Sequence, residues 1–252
     1  MIDRSNPKAR FSDRVDNYTK FRPSYPREAI EFIFEHKTLN SASLIADVGA
    51  GTGVFTELLL NKNTPVIAVE PNDEMRLEAD RRLAHLPCYS SLDGFAEHTG
   101  LEDNSVDLIT VAQAFHWFDR ERTKAEFERI LKPGGVILLI WNRRDASESA
   151  FMLQYESLLH SRLPEYRLVT HANASDAVIK DFLGANMSMH KFPNEQKFDL
   201  PGLKGRLMSS SYCPAADEAG FSELMSELEA LYSKHATNDG VIFTYSTQLY
   251  MS

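Results

Sequence analysis

From residue 44 onward the chain alternates short apolar runs with segments of helical period. Leu44-Ile45-Ala46-Asp47-Val48 reads as a buried strand and the run Val54–Leu60 as the helix after it. Val66–Glu70 reads as a second strand, followed over residues 73–85 by a charged amphipathic helix. Residues 87–91 predict a weak strand and residues 106–113 a clear one. A helix over residues 119–131 should stop at Lys132-Pro133-Gly134-Gly135, because proline and glycine break the pattern. Val136–Trp141 is continuous in apolar residues, as a parallel strand covered on both faces should be.

Strand and helix in strict succession predict a parallel sheet with right-handed crossovers, so residues 40–142 form an α/β doubly wound core. Residues 1–39 read as a polar, aromatic arm and then a helix opened by Pro26, where a missing N–H costs nothing. After Trp141 the alternation lapses, and residues 143–184 read as a helical cap insertion. Residues 185–252 complete the sheet. They contain a strand within 187–200, a helix with Phe221, Leu224, Met225, Leu228, Leu231 and Tyr232 on one face, and a final strand over 241–251. The alternation of that last run suggests an edge or antiparallel position.

Composition narrows the function without naming it. The 252 residues are 43% hydrophobic, enough for a sizeable core, and 27 Lys and Arg stand against 36 Asp and Glu for a net charge of -9. A general nucleic-acid binder needs a basic surface, so no nucleic-acid partner is expected. No run approaches the roughly 20 apolar residues of a membrane helix, and the charged N-terminus lacks the apolar core of a signal peptide. Two cysteines, Cys88 and Cys213, make neither a disulfide framework nor a metal-ligand spacing, which fits a reducing cytoplasm. The eight histidines are scattered, so no metal is expected.

The candidate chemistry begins at Asp47-Val48-Gly49-Ala50-Gly51-Thr52-Gly53. A dinucleotide turn needs G-x-G-x-x-G, but here the glycines fall at 49, 51 and 53 and position 54 holds Val54. A tight turn without a ligand is the plain alternative. Glu70 shifts the balance: it ends the second strand, seventeen residues past Gly53, where a carboxylate can accept from two ribose hydroxyls. Loop and acid together predict a bound adenosine.

A G-x-G-x-G loop followed by an acid at the end of strand two resembles the class I S-adenosylmethionine-dependent methyltransferases. Glu70-Pro71-Asn72-Asp73-Glu74-Met75 is similar to the second motif of that family, residues 94–119 to its third and fourth, and residues 131–142 to the stretch leading into strand five. The resemblance covers about residues 10–142 and is specific as a set. It implies a mostly parallel seven-stranded sheet of order 3-2-1-4-5-7-6 with strand seven antiparallel. It also implies S-adenosylmethionine as cofactor and S-adenosylhomocysteine as product, with a small-molecule methyl acceptor. Cofactor contacts would come from Asp47, Gly49, Gly51, Gly53, Glu70 and Pro71, with Met75, Ala96 and Glu97 at the adenine and Gln113 near the methionine part. The missing third glycine fits this ligand, which has no pyrophosphate to seat on a helix N-terminus.

The arm, residues 17–26, resembles the lid of small-molecule methyltransferases related to trans-aconitate methyltransferase. Arg22 would face the cofactor carboxylate, and Tyr18 and Tyr25 would close over the site, unless these aromatics only staple the arm to the core. His116 is a candidate general base or else a pocket wall, and Trp117 shapes the acceptor pocket. Arg143 and Arg144 bind an anionic acceptor or are simply solvated. A carboxylate acceptor needs no base, whereas an amine or hydroxyl does, and the residues leave that choice open. Two rival functions remain: a non-catalytic cofactor-binding module, and a nicotinamide-dependent oxidoreductase, against which Val54 counts.

Overall fold

The computed structural model describes residues 20–37, 39–164, 166, 175–210 and 212–252. Tyr18 lies outside them. Seven strands form one sheet of order β3-β2-β1-β4-β5-β7-β6. They are β1 (Ile45–Val48), β2 (Val66–Val69), β3 (Tyr89–Leu92), β4 (Val106–Ala112), β5 (Leu131–Arg144), β6 (Ser188–Phe198) and β7 (Val241–Met251). The first five pair in parallel, and β7 runs antiparallel to both β5 and β6. The predicted order and the antiparallel last strand are both present. β7 is internal, however, and β6, with every second residue half-buried, takes the edge.

Eight helices complete the described architecture: α1 (Arg27–Lys37), α2 (Val54–Leu60), α3 (Asp73–Leu83), α4 (Arg120–Ile130), α5 (Ala150–Arg162), α6 (Asp176–Leu183), α7 (Leu200–Met208) and α8 (Phe221–His235). α4 ends at Ile130, and the chain enters β5 at once, carrying the expected Lys132–Gly135 stop inside the strand. A register shift opposite Val106 and Leu108 absorbs the proline and glycines. α7 is a helix that the hydrophobic pattern, broken by Pro201, Gly202 and Gly205, does not announce. Its start is held by Asp199, whose carboxylate accepts from the Gly202 N–H at 2.8 Å, and Pro201 sits in the first turn, where it is tolerated.

Three apolar clusters divide the interior. α6 lays Ile179, Phe182 and Leu183 on one face of the sheet against Phe115, Phe127, Trp141 and Tyr250. α1 and α2 cover the opposite face against Leu138, Ile140 and Leu249. α5, α7 and α8 make a third cluster with Phe198, Val241, Phe243 and Tyr245, beyond the β5 end of the parallel strands. So the helices of 146–184 serve two clusters: α6 covers the sheet, while α5 joins the C-terminal helices. Among the described residues no helix is long and apolar enough to cross a membrane.

Candidate functional site at the C-terminal ends of the parallel strands

Ligands in open α/β sheets bind beyond the carboxyl ends of the strands, where the strand order reverses. Here that point lies between β1 and β4, and the glycine loop leaves β1 beside it. Gly51 has φ +58 and an added Cβ would touch nothing closer than the Met75 sulfur at 3.8 Å. One side of the loop backbone is therefore open to a ligand. Gly53 serves packing instead: its Cβ would come within 2.6 Å of Leu83 and 3.2 Å of Ala79 on α3. Close helix approach, the usual task of the third glycine in a dinucleotide turn, is met one position early, which is why Val54 is tolerated.

Glu70 closes the loop from the end of β2. Its Oε2 accepts from the Gly51 N–H at 2.8 Å and its Oε1 from the Asn72 N–H at 2.9 Å. The side chain is only 7% exposed, and each carboxylate oxygen keeps a lone pair for a further donor. Burial raises its pKa above the ordinary value, with the two N–H groups and Arg76 offsetting part of the effect and Asp47 adding to it. Asn72 caps α3, accepting from the Met75 N–H at 2.9 Å, and so fixes the buried Met75 beside the loop. Pro71 lies between these two anchors. Arg82 donates to the Thr52 carbonyl at 2.7 Å and braces the loop from α3.

Asp47 points elsewhere. It is fully buried, and its oxygens accept from the hydroxyls of Thr56 on α2 and Thr110 on β4 at 2.6 and 2.7 Å. What it joins is the strand, the helix after it and the neighbouring strand, directly beneath Gly49 and Gly51.

The adenine candidates sit on the loop after β3. Ala96 is buried, and Glu97 accepts from the Asp119 N–H at 2.7 Å, tying this loop to the start of α4. Glu126, which the sequence did not single out, holds the loop from below. It accepts from both the N–H and the hydroxyl of Thr99, at 2.7 and 2.6 Å, and pairs with Arg129. Burial alone would raise its pKa, but Arg129 and Thr99 outweigh this and hold it at about 2. A depressed carboxylate contributes stability above its unfolded pKa, lost as pH falls towards the folded one. The Glu126→Gln variant should therefore be less stable than wild type at neutral pH and converge with it between about pH 4.5 and 2. Urea midpoints across that range check this; a gap that persists at the acid end would count against it.

Gln113 follows β4 with φ +59, a left-handed conformation that is uncommon outside glycine. Its N–H is held by the Ile140 carbonyl at 3.0 Å, so strand pairing enforces the strain. Gln113→Gly should raise unfolding stability by up to about 1 kcal/mol, the relief of left-handed strain less the larger unfolded-state entropy of glycine, while weakening S-adenosylhomocysteine binding. Thermal unfolding and calorimetry on one preparation read both, and a variant that binds as wild type would show that the side chain makes no ligand contact. After Gln113 a 3₁₀ turn, Phe115–Trp117, buries Phe115 and leaves His116 and Trp117 half-buried, their rings 4.3 Å apart.

The arm approaches from the β5 side. The Asn142 amide donates to the Ser24 carbonyl at 3.1 Å, and Tyr25 packs edge-on against Phe55 at 4.8 Å. Arg22 donates to the Ser209 carbonyl at 3.1 Å. Arg143 and Arg144, consecutive on β5, point to opposite faces. Arg143 reaches Asp176 on α6 at 3.4 Å, whereas Arg144 turns to Glu156 on α5 at 2.6 Å and to the Tyr166 hydroxyl at 2.7 Å. The structure thus brings Gly51, Glu70 and Met75 together and separates the two arginines.

An α/β sheet of this order, with an open glycine loop clamped by the acid at the end of β2, defines the class I methyltransferase architecture. Residues 46–139 match the family described as methyltransferase domain, in keeping with that architecture. An uncharacterized methyltransferase of Mycobacterium tuberculosis is 44% identical over 135 residues, 54% of this chain and 53% of that protein. The chain thus spans about half the length of the curated relatives it matches. A malonyl-[acyl-carrier protein] O-methyltransferase of Marinomonas is 23% identical over 244 residues, 94% of this chain and 87% of that one. Among solved structures, a putative type II methyltransferase from Anaeromyxobacter dehalogenans shares the fold, with a TM-score of 0.68 at 24% identity over 92% of this chain and 97% of that one.

Proposed function

We propose that the protein transfers a methyl group from S-adenosylmethionine to a small acidic molecule. One arrangement carries the cofactor half of this reading: the buried Glu70 carboxylate, anchored by Gly51 and Asn72, beside an open face of the glycine loop. When bound, S-adenosylmethionine supplies a methyl already activated on sulfur, the C–S electron pair leaving with a neutral thioether as the acceptor–carbon bond forms. The residues of the chain then have to align the acceptor and exclude water, and orientation of this kind is worth effective molarities of roughly 10⁵–10⁸ M. Gln113 and the His116–Trp117 pair stand at the end of β4, beside the loop, as walls for that alignment. A carboxylate is ionised near neutral pH and gives up no proton, so His116 is assigned a positioning role. The Marinomonas relative is named for methylation at oxygen, which supports an oxygen acceptor.

The test is S-adenosylhomocysteine release over a panel of small carboxylic acids, amines and alcohols, with product masses read. Release with acids alone is expected. Release only with amines or alcohols would overturn the acid reading, and tight binding of S-adenosylhomocysteine with no turnover on any acceptor would point to a non-catalytic binding module.

A further inference from the structure

Arg206 is a buried charge with no counter-charge among the described residues. It lies on α7, is 4% exposed, and no Asp or Glu among the described residues is within ion-pair distance of it. Its Nη1 has only long contacts to the hydroxyls of Ser209 and Ser210, at 3.4 and 3.3 Å, and its Nε has no acceptor. On α5, the fully buried Tyr155 likewise has a hydroxyl without a partner. The two side chains meet in one packed cluster: Tyr155 shares it with Leu203 and Leu207, which neighbour Arg206 along α7, and the Arg144 guanidinium lies 5.7 Å from the centre of the Tyr155 ring. Arg144 differs in being matched by Glu156. Burial would raise the pKa of the Tyr212 phenol, but Arg144 and Arg206 overcome this and lower it, so the surplus positive charge is felt by its neighbours.

An unpaired buried guanidinium is costly, because its hydration is lost and nothing replaces it. The place of this one suggests what does. Arg144 ends β5, so the group lies beside the carboxyl ends of the parallel strands, where ligands of this fold bind. The arm covers it: Arg22 holds the Ser209 carbonyl, and the Phe21 ring lies so close to Gly205 that an added Cβ would come within 2.1 Å of it. A planar guanidinium with free N–H donors next to a free hydroxyl donor suits a carboxylate.

We propose that Arg206 and Tyr155 form the receptor for a carboxylate of the methyl acceptor, buried beneath the arm. This rests on the acid-acceptor reading above and places the anion at α5 and α7, where no carboxylate among the described residues pairs with Arg206. Arg143, already facing Asp176, lies on the other face of the sheet.

The probes are malonate, succinate and tricarballylate, each compared with its neutral amide at constant ionic strength, read as the shift in melting temperature with and without S-adenosylhomocysteine. At least one carboxylate is expected to stabilise the wild type where its amide does not. R206Q and Y155F should each weaken that response by about tenfold or more, with S-adenosylhomocysteine affinity by calorimetry unchanged. Y155F removes one oxygen and keeps the ring packed on Phe243, so it remains informative should R206Q fail to fold. A wild type indifferent to all three acids, or a Y155F variant as responsive as wild type, overturns the proposal. Loss of S-adenosylhomocysteine binding with an intact carboxylate response would count against the cofactor assignment and leave this receptor standing.

Discussion

Glu70→Ala is expected to weaken S-adenosylhomocysteine binding by about 1–3 kcal/mol, the scale of hydrogen bonds to a charged acceptor. From the sequence alone, a strand-end carboxylate in the cleft carries little packing, and its removal is expected to leave the fold intact. The structure adds a second effect, because the N–H groups of Gly51 and Asn72 both lose their acceptor in a buried setting. Unfolding stability should therefore fall as well, by about 2 kcal/mol or more. Calorimetry and urea midpoints separate the two losses, and an unchanged dissociation constant would place the ribose elsewhere. Because burial raises the Glu70 pKa, its contribution to stability is present at low pH and is lost as pH rises through the folded value. Ribose hydroxyls need the ionised form as acceptor, so wild-type affinity should increase with pH through that same range, and Glu70→Gln should flatten the dependence.

Asp47→Ala should be the most destabilising of the loop substitutions, by about 2–4 kcal/mol, since two buried hydroxyls, Thr56 and Thr110, are left without an acceptor. Burial raises the pKa of Asp47 from 3.8 to about 6, against the two threonine hydrogen bonds. Between those values the folded state holds a proton that the unfolded state has released. Stability from this group is thus full below the lower value and falls by about 3 kcal/mol as pH rises to the upper one. Glu126 acts in the opposite sense over a lower window, so the two are separable by pH. Asp47→Asn should abolish the fall between about pH 4 and 6. Urea midpoints at several pH values check this; an equal slope in the Asn variant would assign the titration to another group.

Much of the fold was legible because its determinants are local. Strands of four to seven apolar residues, helix starts at Asn72 and Asp119, and the glycine loop each depend on neighbours a few positions away. The Lys132–Gly135 segment stops α4 as expected, and what local pattern did not show is that Leu131 before it and Val136 after it both pair with β4, so the strand brackets the break with a shift in register. α7 escaped notice because a cap and a proline in the first turn, rather than hydrophobic period, define it.

The sequence by itself determined the order of elements, the glycine loop and the acid that clamps it, since spacing along a strand–loop–helix unit translates directly into proximity. Only the tertiary structure decided that Gly53 takes the packing role expected one residue later. It alone turned Arg143 and Arg144 to opposite faces, because strand pairing extends β5 through both and side chains alternate along a strand. It alone brought Tyr155 and Arg206 into one buried group from different helices. Burial and the absence of a counter-charge are properties of packing, and no local pattern encodes them.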